Sequence, residues 1–177
     1  MPAFQRVFIS HSKDDHDGKR FIGLVCSNAG MKTEMVEYSQ TSIVDADLVR
    51  KAIDGCQALF VMMSKHMVDQ GHTRNWIAFE MGIAYSMNKP IFVLENSADH
   101  VAFGVPRVDY YILYSDTESA VKALTMIFSS DKVNRFFTSK RCTSEMCKGK
   151  EHTYRIVAGQ ETNYCPYCCE ARPAKSD

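Results

Sequence analysis

The 177-residue chain has no surplus of either charge: Lys plus Arg and Asp plus Glu both number 21, and the isoelectric point is 7.0. No net field draws it to nucleic acid or to an anionic membrane, so only a local patch could do so. It has no apolar run near the roughly 18 residues a membrane-spanning helix needs, and no charged segment followed by an apolar one near its start. A cytoplasmic protein with no membrane attachment is the expectation. Three familiar chemistries are missing their motifs. No GxGxxG follows a strand, there is no Walker A sequence, and there is no HExxH. The GxSxG elbow of the α/β-hydrolases is absent as well. Neither internal repeats nor low-complexity stretches interrupt the chain.

What is present is ordinary for a folded domain: 45% hydrophobic and 24% charged residues. The length suffices for one domain with a full core and a small appendage. Arg6 to Ser10 is a short apolar run suited to a buried strand. Ser12 and Asp15 form a Ser-x-x-Asp capping pattern, and Phe21, Ile22, Leu24, Val25 and Ala29 then supply a helical face that ends at Gly30. Lys32 to Tyr38 reads as a second strand. Asp45 or Asp47 can cap the next helix, whose apolar face is Leu48, Val49, Ala52 and Ile53. Ala58 to Ser64 is apolar almost throughout, as befits a strand covered on both sides. Pro90 to Glu95 and Asp109 to Tyr114 make a fourth and a fifth strand, and Asp116 opens a last long helix. Strands alternating with helices predict an α/β fold with a parallel sheet flanked by helices. Five strands suggest the flavodoxin-like order 2-1-3-4-5, whose ligand crevice opens beyond the carboxyl ends of strands 1 and 3.

Between strands 3 and 4, Arg74 to Asn88 reads as a helix with an acid in its apolar stripe. At about 100° per residue, Trp76, Glu80, Ile83, Ala84 and Met87 share a face, and Arg74, Ala78, Met81, Tyr85 and Lys89 share the other. A glutamate is almost never fully buried without a partner, and desolvating its charge changes its acidity in the way working acids and nucleophiles require. The plain alternative is that Glu80 snorkels to the helix entrance or pairs with a cation. His11 lies in the loop where such folds bind ligands, with a solvated loop histidine as the alternative. Trp76 is either core or a platform for a flat heterocycle. The run Asp14, Asp15, His16, Asp17 suits the dipole at a helix start better than a metal.

The tail changes character near Phe137. Of seven cysteines, five fall in the last 36 residues. Cys142 and Cys147 are separated by four residues, 17 residues follow, and Cys165 and Cys168 are separated by two, which are zinc-ligand spacings. His152 to Val157 and Gln160 to Tyr164 can pair about Ala158 and Gly159 as a hairpin that brings the two cysteine pairs together. This is a zinc-ribbon pattern with structural Zn2+ as its cofactor. Reduced thiols are the alternative, and Cys169 or His152 competes with Cys168 for the fourth ligand position. The division expected is therefore 1–137 for the α/β domain and 138–177 for the ribbon. Lys140, Arg141, Lys148, Lys150, Arg155, Arg172 and Lys175 lie near Tyr154, Tyr164 and Tyr167, a combination that can bind nucleic acid. A structural cap or dimer contact is the favoured role.

The string RVFISHS, the strand ALFVMMS ending in Ser64, and the segment NWIAFEMGIAYSMNKPIFVLE, in that order and spacing, resemble a Toll/interleukin receptor (TIR) domain of the prokaryotic NAD-cleaving branch. The resemblance spans roughly Met1 to Phe137. It implies a glycohydrolase that cleaves the nicotinamide–ribose bond of NAD+ and releases ADP-ribose or a cyclic isomer, in signalling or defence. By the same resemblance Glu80 takes the catalytic position and Trp76 that of its aromatic neighbour, while Ser10, His11 and Ser12 occupy the nucleotide-contacting loop. Tyr38 to Asp47 would be the mobile BB loop, with Tyr38 and Asp45 as substrate contacts, and TIR–TIR contacts would build a homo-oligomer. Two departures stand out: His11 and Ser12 replace an aromatic and an arginine common after the first strand, and the BB loop lacks glycine and proline. The chemistry agrees with the residue pattern, because a cationic nicotinamide leaves without a proton and one carboxylate can stabilise the oxocarbenium-like ribose. The alternatives are a non-catalytic TIR interaction module and a nucleoside deoxyribosyltransferase-like enzyme.

Overall fold

The computed structural model describes residues 1–37, 45–67, 71–101, 107–142, 152–160 and 165–167. Among them are seven strands and four α-helices in the order β1 (Arg6–Ser10), α1 (His16–Asn28), β2 (Lys32–Glu34), α2 (Ala46–Asp54), β3 (Ala58–Met63), α3 (Gly71–Ser86), β4 (Ile91–Asn96), β5 (Tyr110–Tyr114), α4 (Thr117–Phe128), β6 (Phe137–Arg141) and β7 (Thr153–Val157). They form one mostly parallel sheet in the order β2-β1-β3-β4-β5-β7-β6. The five strands expected are thus seven, because the tail contributes two more. β7 runs parallel to β5, with Tyr110 opposite Arg155, and β6 closes the sheet antiparallel to β7.

The expected hairpin of His152 to Val157 with Gln160 to Tyr164 is accordingly not what Thr153–Val157 makes. Both of its edges are taken, one by β5 and one by β6. The physical reason is apolar content that the cysteine spacing hid. Tyr154 and Ile156 alternate along β7 and are both 1% exposed, so they belong to a core. Phe137, at the start of β6, stacks edge-on to Tyr110 with ring centroids 4.9 Å apart.

The sheet separates two cores. Val7, Ile9, Phe60, Phe92 and Tyr110 pack beneath α1 and α4, while Phe8, Leu59, Val61, Val93 and Tyr111 pack beneath α2 and α3. This is the period-2 alternation of buried strands, and every residue of β3 is buried because helices cover both its faces. Capping carboxylates begin α1, α2 and α4. The Asp15 side chain accepts from the Gly18 amide, Asp45 from those of Asp47 and Leu48, and Asp116 from that of Ser119. Asp15, rather than Ser12, is therefore the cap of α1. After α1 the chain turns at Gly30, whose φ of 75° favours a residue without a Cβ. Both sheet edges are modest: β2 has only three residues, and all of β6 after Phe137 is exposed, Lys140 and Arg141 included.

Candidate functional site

β1 ends on the side of the sheet that α3 covers. Ser10 follows Phe8 in the alternation, so its side chain enters the α2/α3 layer, where it is 1% exposed. α3 brings Glu80 to the same place, 4% exposed, and the Ser10 hydroxyl donates to Glu80 Oε2 at 2.5 Å. A buried carboxylate accepting so close a hydroxyl is held in one orientation at the carboxyl end of the sheet.

The face of α3 differs from the expected one. Thr73, Ile77, Glu80, Met81 and Ala84 are buried, an i, i+4, i+7, i+8, i+11 stripe, whereas Trp76, Ile83 and Met87 are only half-buried. Met81, expected outward, is fully buried, and the stripe is rotated away from Trp76. A helix that is apolar nearly all round gives weak phase information, so a single flanking tryptophan misdirected the reading. Trp76 makes an edge-to-face contact with Phe79, centroids 5.5 Å apart, and stands at the rim.

Around Glu80 lies a small cavity of about 40 Å³ lined by His11, Glu37, Thr73, Trp76 and Ile77, among others. It has room for a few waters at most. The side chain of His11 is 3% exposed, and its Nε2 has no hydrogen-bond partner and lies 4.0 Å from a Glu37 oxygen. Burial pushes the His11 pKa below its ordinary 6.5, and the Lys19 ammonium adds to that, so the imidazole is neutral at pH 7. Lys19 in turn pairs with Glu37, and that contact lowers the Glu37 pKa. Ser12 is fully buried, its hydroxyl without a hydrogen-bond partner, while its carbonyl accepts from the Asp15 amide at 3.0 Å. Asp45 is exposed and serves α2 as its cap, outside the cavity lining. Tyr38 lies outside the described residues. Glu80, His11 and Trp76 are thus brought around one cavity, with Ser10 bonded to its carboxylate.

A second buried acid escaped the reading of the sequence. Glu95, 2% exposed near the end of β4, accepts from the Val101 amide at 2.7 Å and from the Tyr111 hydroxyl, and its Oε1 lies 2.9 Å from His100 Nδ1. The alternation of IFVLE puts Glu95 on the face of Ile91 and Val93, a signal that was there to find. It braces the end of β4 and the turn after it, away from the Glu80 cavity. A much larger cleft lies under the other pair of helices and contains none of Glu80, Ser10 and His11. Chemistry is assigned to the smaller space because it holds the oriented acid.

In the tail, Cys142 and Cys165 are buried. The Cys142 amide donates to the His152 carbonyl at 2.9 Å, the His152 ring stacks on Tyr167 with centroids 4.3 Å apart, and the Tyr167 amide donates to Cys165 Sγ at 3.4 Å. The two cysteine segments therefore meet beside β7, although not through the expected hairpin. Cys147 and Cys168 lie outside the described residues, and among the described residues no three His, Cys, Asp or Glu side chains gather as a metal site. Of the other thiols, burial pushes Cys26 up to about 12 and Cys56 up to about 11, which disfavours their thiolates, while Cys169 lies outside the described residues. Among the described residues no helix is long and apolar enough to cross a membrane. No protein-family model and no curated protein matches this chain, so its function has to be read from the site itself.

Proposed function

We propose that the chain is a TIR-type NAD+ glycohydrolase in which Glu80 is the catalytic carboxylate. The observation that carries this reading is the buried, oriented Glu80 at the carboxyl end of the sheet, where a fold of this layout binds ligands. The reaction breaks the bond between the ribose anomeric carbon and the nicotinamide nitrogen. The bonding pair leaves with nicotinamide, which becomes neutral, and water adds to the ribose with loss of a proton. Glu80 stabilises the positive charge that grows on the ribose, by charge or by a brief bond to the anomeric carbon. Ser10 holds the carboxylate in place. Trp76 offers a face to the heterocycle, and the neutral His11 offers hydrogen bonds rather than a proton.

A cavity of about 40 Å³ does not admit a dinucleotide, so catalysis needs the rim at Val36 and Glu37 to move. That rim leads directly into residues 38–47, the BB loop by resemblance, and the enzyme is accordingly expected to act in the cytoplasm as a homo-oligomer whose assembly opens the site. The same closed cavity favours the second reading, a TIR interaction module without catalysis. Chromatography of products after incubating concentrated protein with NAD+ separates the two. Nicotinamide release by the native chain and none by Glu80→Gln is expected. Equal release by both would remove Glu80 from the mechanism, and no release at any concentration would leave the interaction module.

The tail is read as a structural zinc site with Cys142, Cys147, Cys165 and Cys168 as ligands. Two buried cysteines whose segments meet, one of them accepting an amide bond at sulfur, fit that donor set. Bound zinc would supply folding energy to a segment too short for its own core. One zinc per chain by native mass spectrometry is the result that supports it.

A further inference from the structure

We infer that the cleft between α1 and α4 is a second binding site, built for a protonated amine or amidine carried on an apolar body. It opens at the carboxyl ends of β3, β4 and β5 and encloses about 720 Å³, within the roughly 300–1,000 Å³ typical of small-molecule sites. It shares no lining residue with the Glu80 cavity and lies across the sheet from it. The inference stands independently of the NAD+ reading.

The cleft floor carries polar groups that the protein itself leaves unanswered. Asp15 is 5% exposed, and its Oδ1 caps α1 through the Gly18 amide at 2.9 Å. Its Oδ2 is buried with no hydrogen-bond partner among the described residues, and so is the hydroxyl of Ser64 at the end of β3. Leaving a buried acceptor unpaired is costly, and a ligand donor placed there removes the cost. Gly18 lets the Asp15 carboxylate pack directly against the first turn of α1, since a Cβ at that position would lie 2.3 Å from Asp15 Oδ2.

The walls decide the rest of the ligand. Phe21 and Tyr114 stack at 4.5 Å, and with Leu24 and Val121 they make an apolar surface. Burial pushes the Tyr114 phenol up to about 12, so it stays neutral and able to donate. At the rim lie Asp17, Asp99 and Glu118 together with Arg20 and Lys122; Lys122 is committed to Glu118 at 2.7 Å, and Lys65, beside the lining, stands 4.0 Å from Asp99. With Asp15 included, carboxylates outnumber cations four to three when Lys65 is counted, so the cleft disfavours phosphates and carboxylates and favours a cation. An apolar body between the aromatic and aliphatic walls, with its charged nitrogen toward Asp15 and Ser64, satisfies every one of these features.

The test is a titration of the full-length 15N-labelled protein with phenethylamine, tryptamine and benzamidine, and with the carboxylates phenylpropionate, indolepropionate and benzoate. Saturable amide shifts centred on Leu24, Ser64 and Val121 are expected for at least one of the cations, at about tenfold or greater preference over its carboxylate counterpart. Asp15→Asn keeps an amide oxygen to cap α1 and is expected to weaken the cation about tenfold. Leu24→Trp, at a side chain 46% exposed, fills the mouth without touching the core and is expected to abolish binding. No saturable shifts with any cation, equal affinity for cation and carboxylate, or undiminished binding to Leu24→Trp would each overturn the proposal.

Discussion

The hydroxyl of Ser10 and the carboxylate of Glu80 come from positions 70 residues apart, and each makes the burial of the other tolerable. Ser10→Ala removes that donor and loosens the orientation of the carboxylate. In the proposed reaction this lowers kcat about tenfold with little change in KM, measured by nicotinamide release, because orientation matters most where charge develops. His11 sets a different expectation. Its folded pKa is depressed below 6.5 by burial and by Lys19, against smaller opposing effects from the Ile9 backbone, Glu37 and Asp15. As pH falls the unfolded chain takes up this proton first, so the stability His11 contributes is whole above 6.5 and is lost as pH falls through its lower folded value. Melting temperatures followed from pH 8 to pH 5 should fall less steeply in His11→Gln than in the native chain. The burial of Glu80 was legible because its neighbours are apolar on every side. Glu95 was legible in the alternation that sets it beside Ile91 and Val93, but it was missed because a strand that ends in an acid reads as one that has reached solvent.

Helix starts were legible to within a few residues wherever a carboxylate does the capping. Asp116 stands where the pattern of polar then apolar residues put it, and of the two candidates Asp45 and Asp47 it is Asp45 that caps α2. Asp15 is subtler, because Ser12 offers the same chemistry three residues earlier, and only the fit of Gly18 against the Asp15 carboxylate decides between them. Gly18→Ala would drive its methyl into that carboxylate, break the cap and cost about 1–2 kcal/mol, partly offset by the better helix propensity of alanine. Urea denaturation reads this directly, and an unchanged midpoint would mean that the cap re-forms elsewhere. The rotation of α3 was not legible. With Ile77, Ala78, Phe79, Met81, Ile83 and Ala84 nearly encircling the helix, only the sheet beneath it selects the buried stripe.

For the molecule as a whole, the alternation of strands and helices up to Tyr114 gave the parallel sheet, but its extent was hidden in the tail. A run with cysteines on either side suggests metal before it suggests a strand. Yet Tyr154 and Ile156 enter the core beneath α2 and α3, Phe137 enters the one beneath α1 and α4, and β7 is the neighbour of β5. A chain ending at residue 136 would bare the ladder edge of β5 along with Tyr110 and Tyr111. Such a truncation is expected to precipitate or to elute as large aggregates in size-exclusion chromatography, whereas a monodisperse, cooperatively melting fragment would show that 1–136 suffices.

The two ends of the sheet limit how copies of the chain can meet. A three-residue β2 gives a second molecule almost nothing to zip onto, and β6 confronts it with lysine and arginine. Strand-by-strand growth into a fibre is thereby discouraged from both sides. Among the described residues, the surfaces left for a second copy to grip are the helical flanks and the connecting loops.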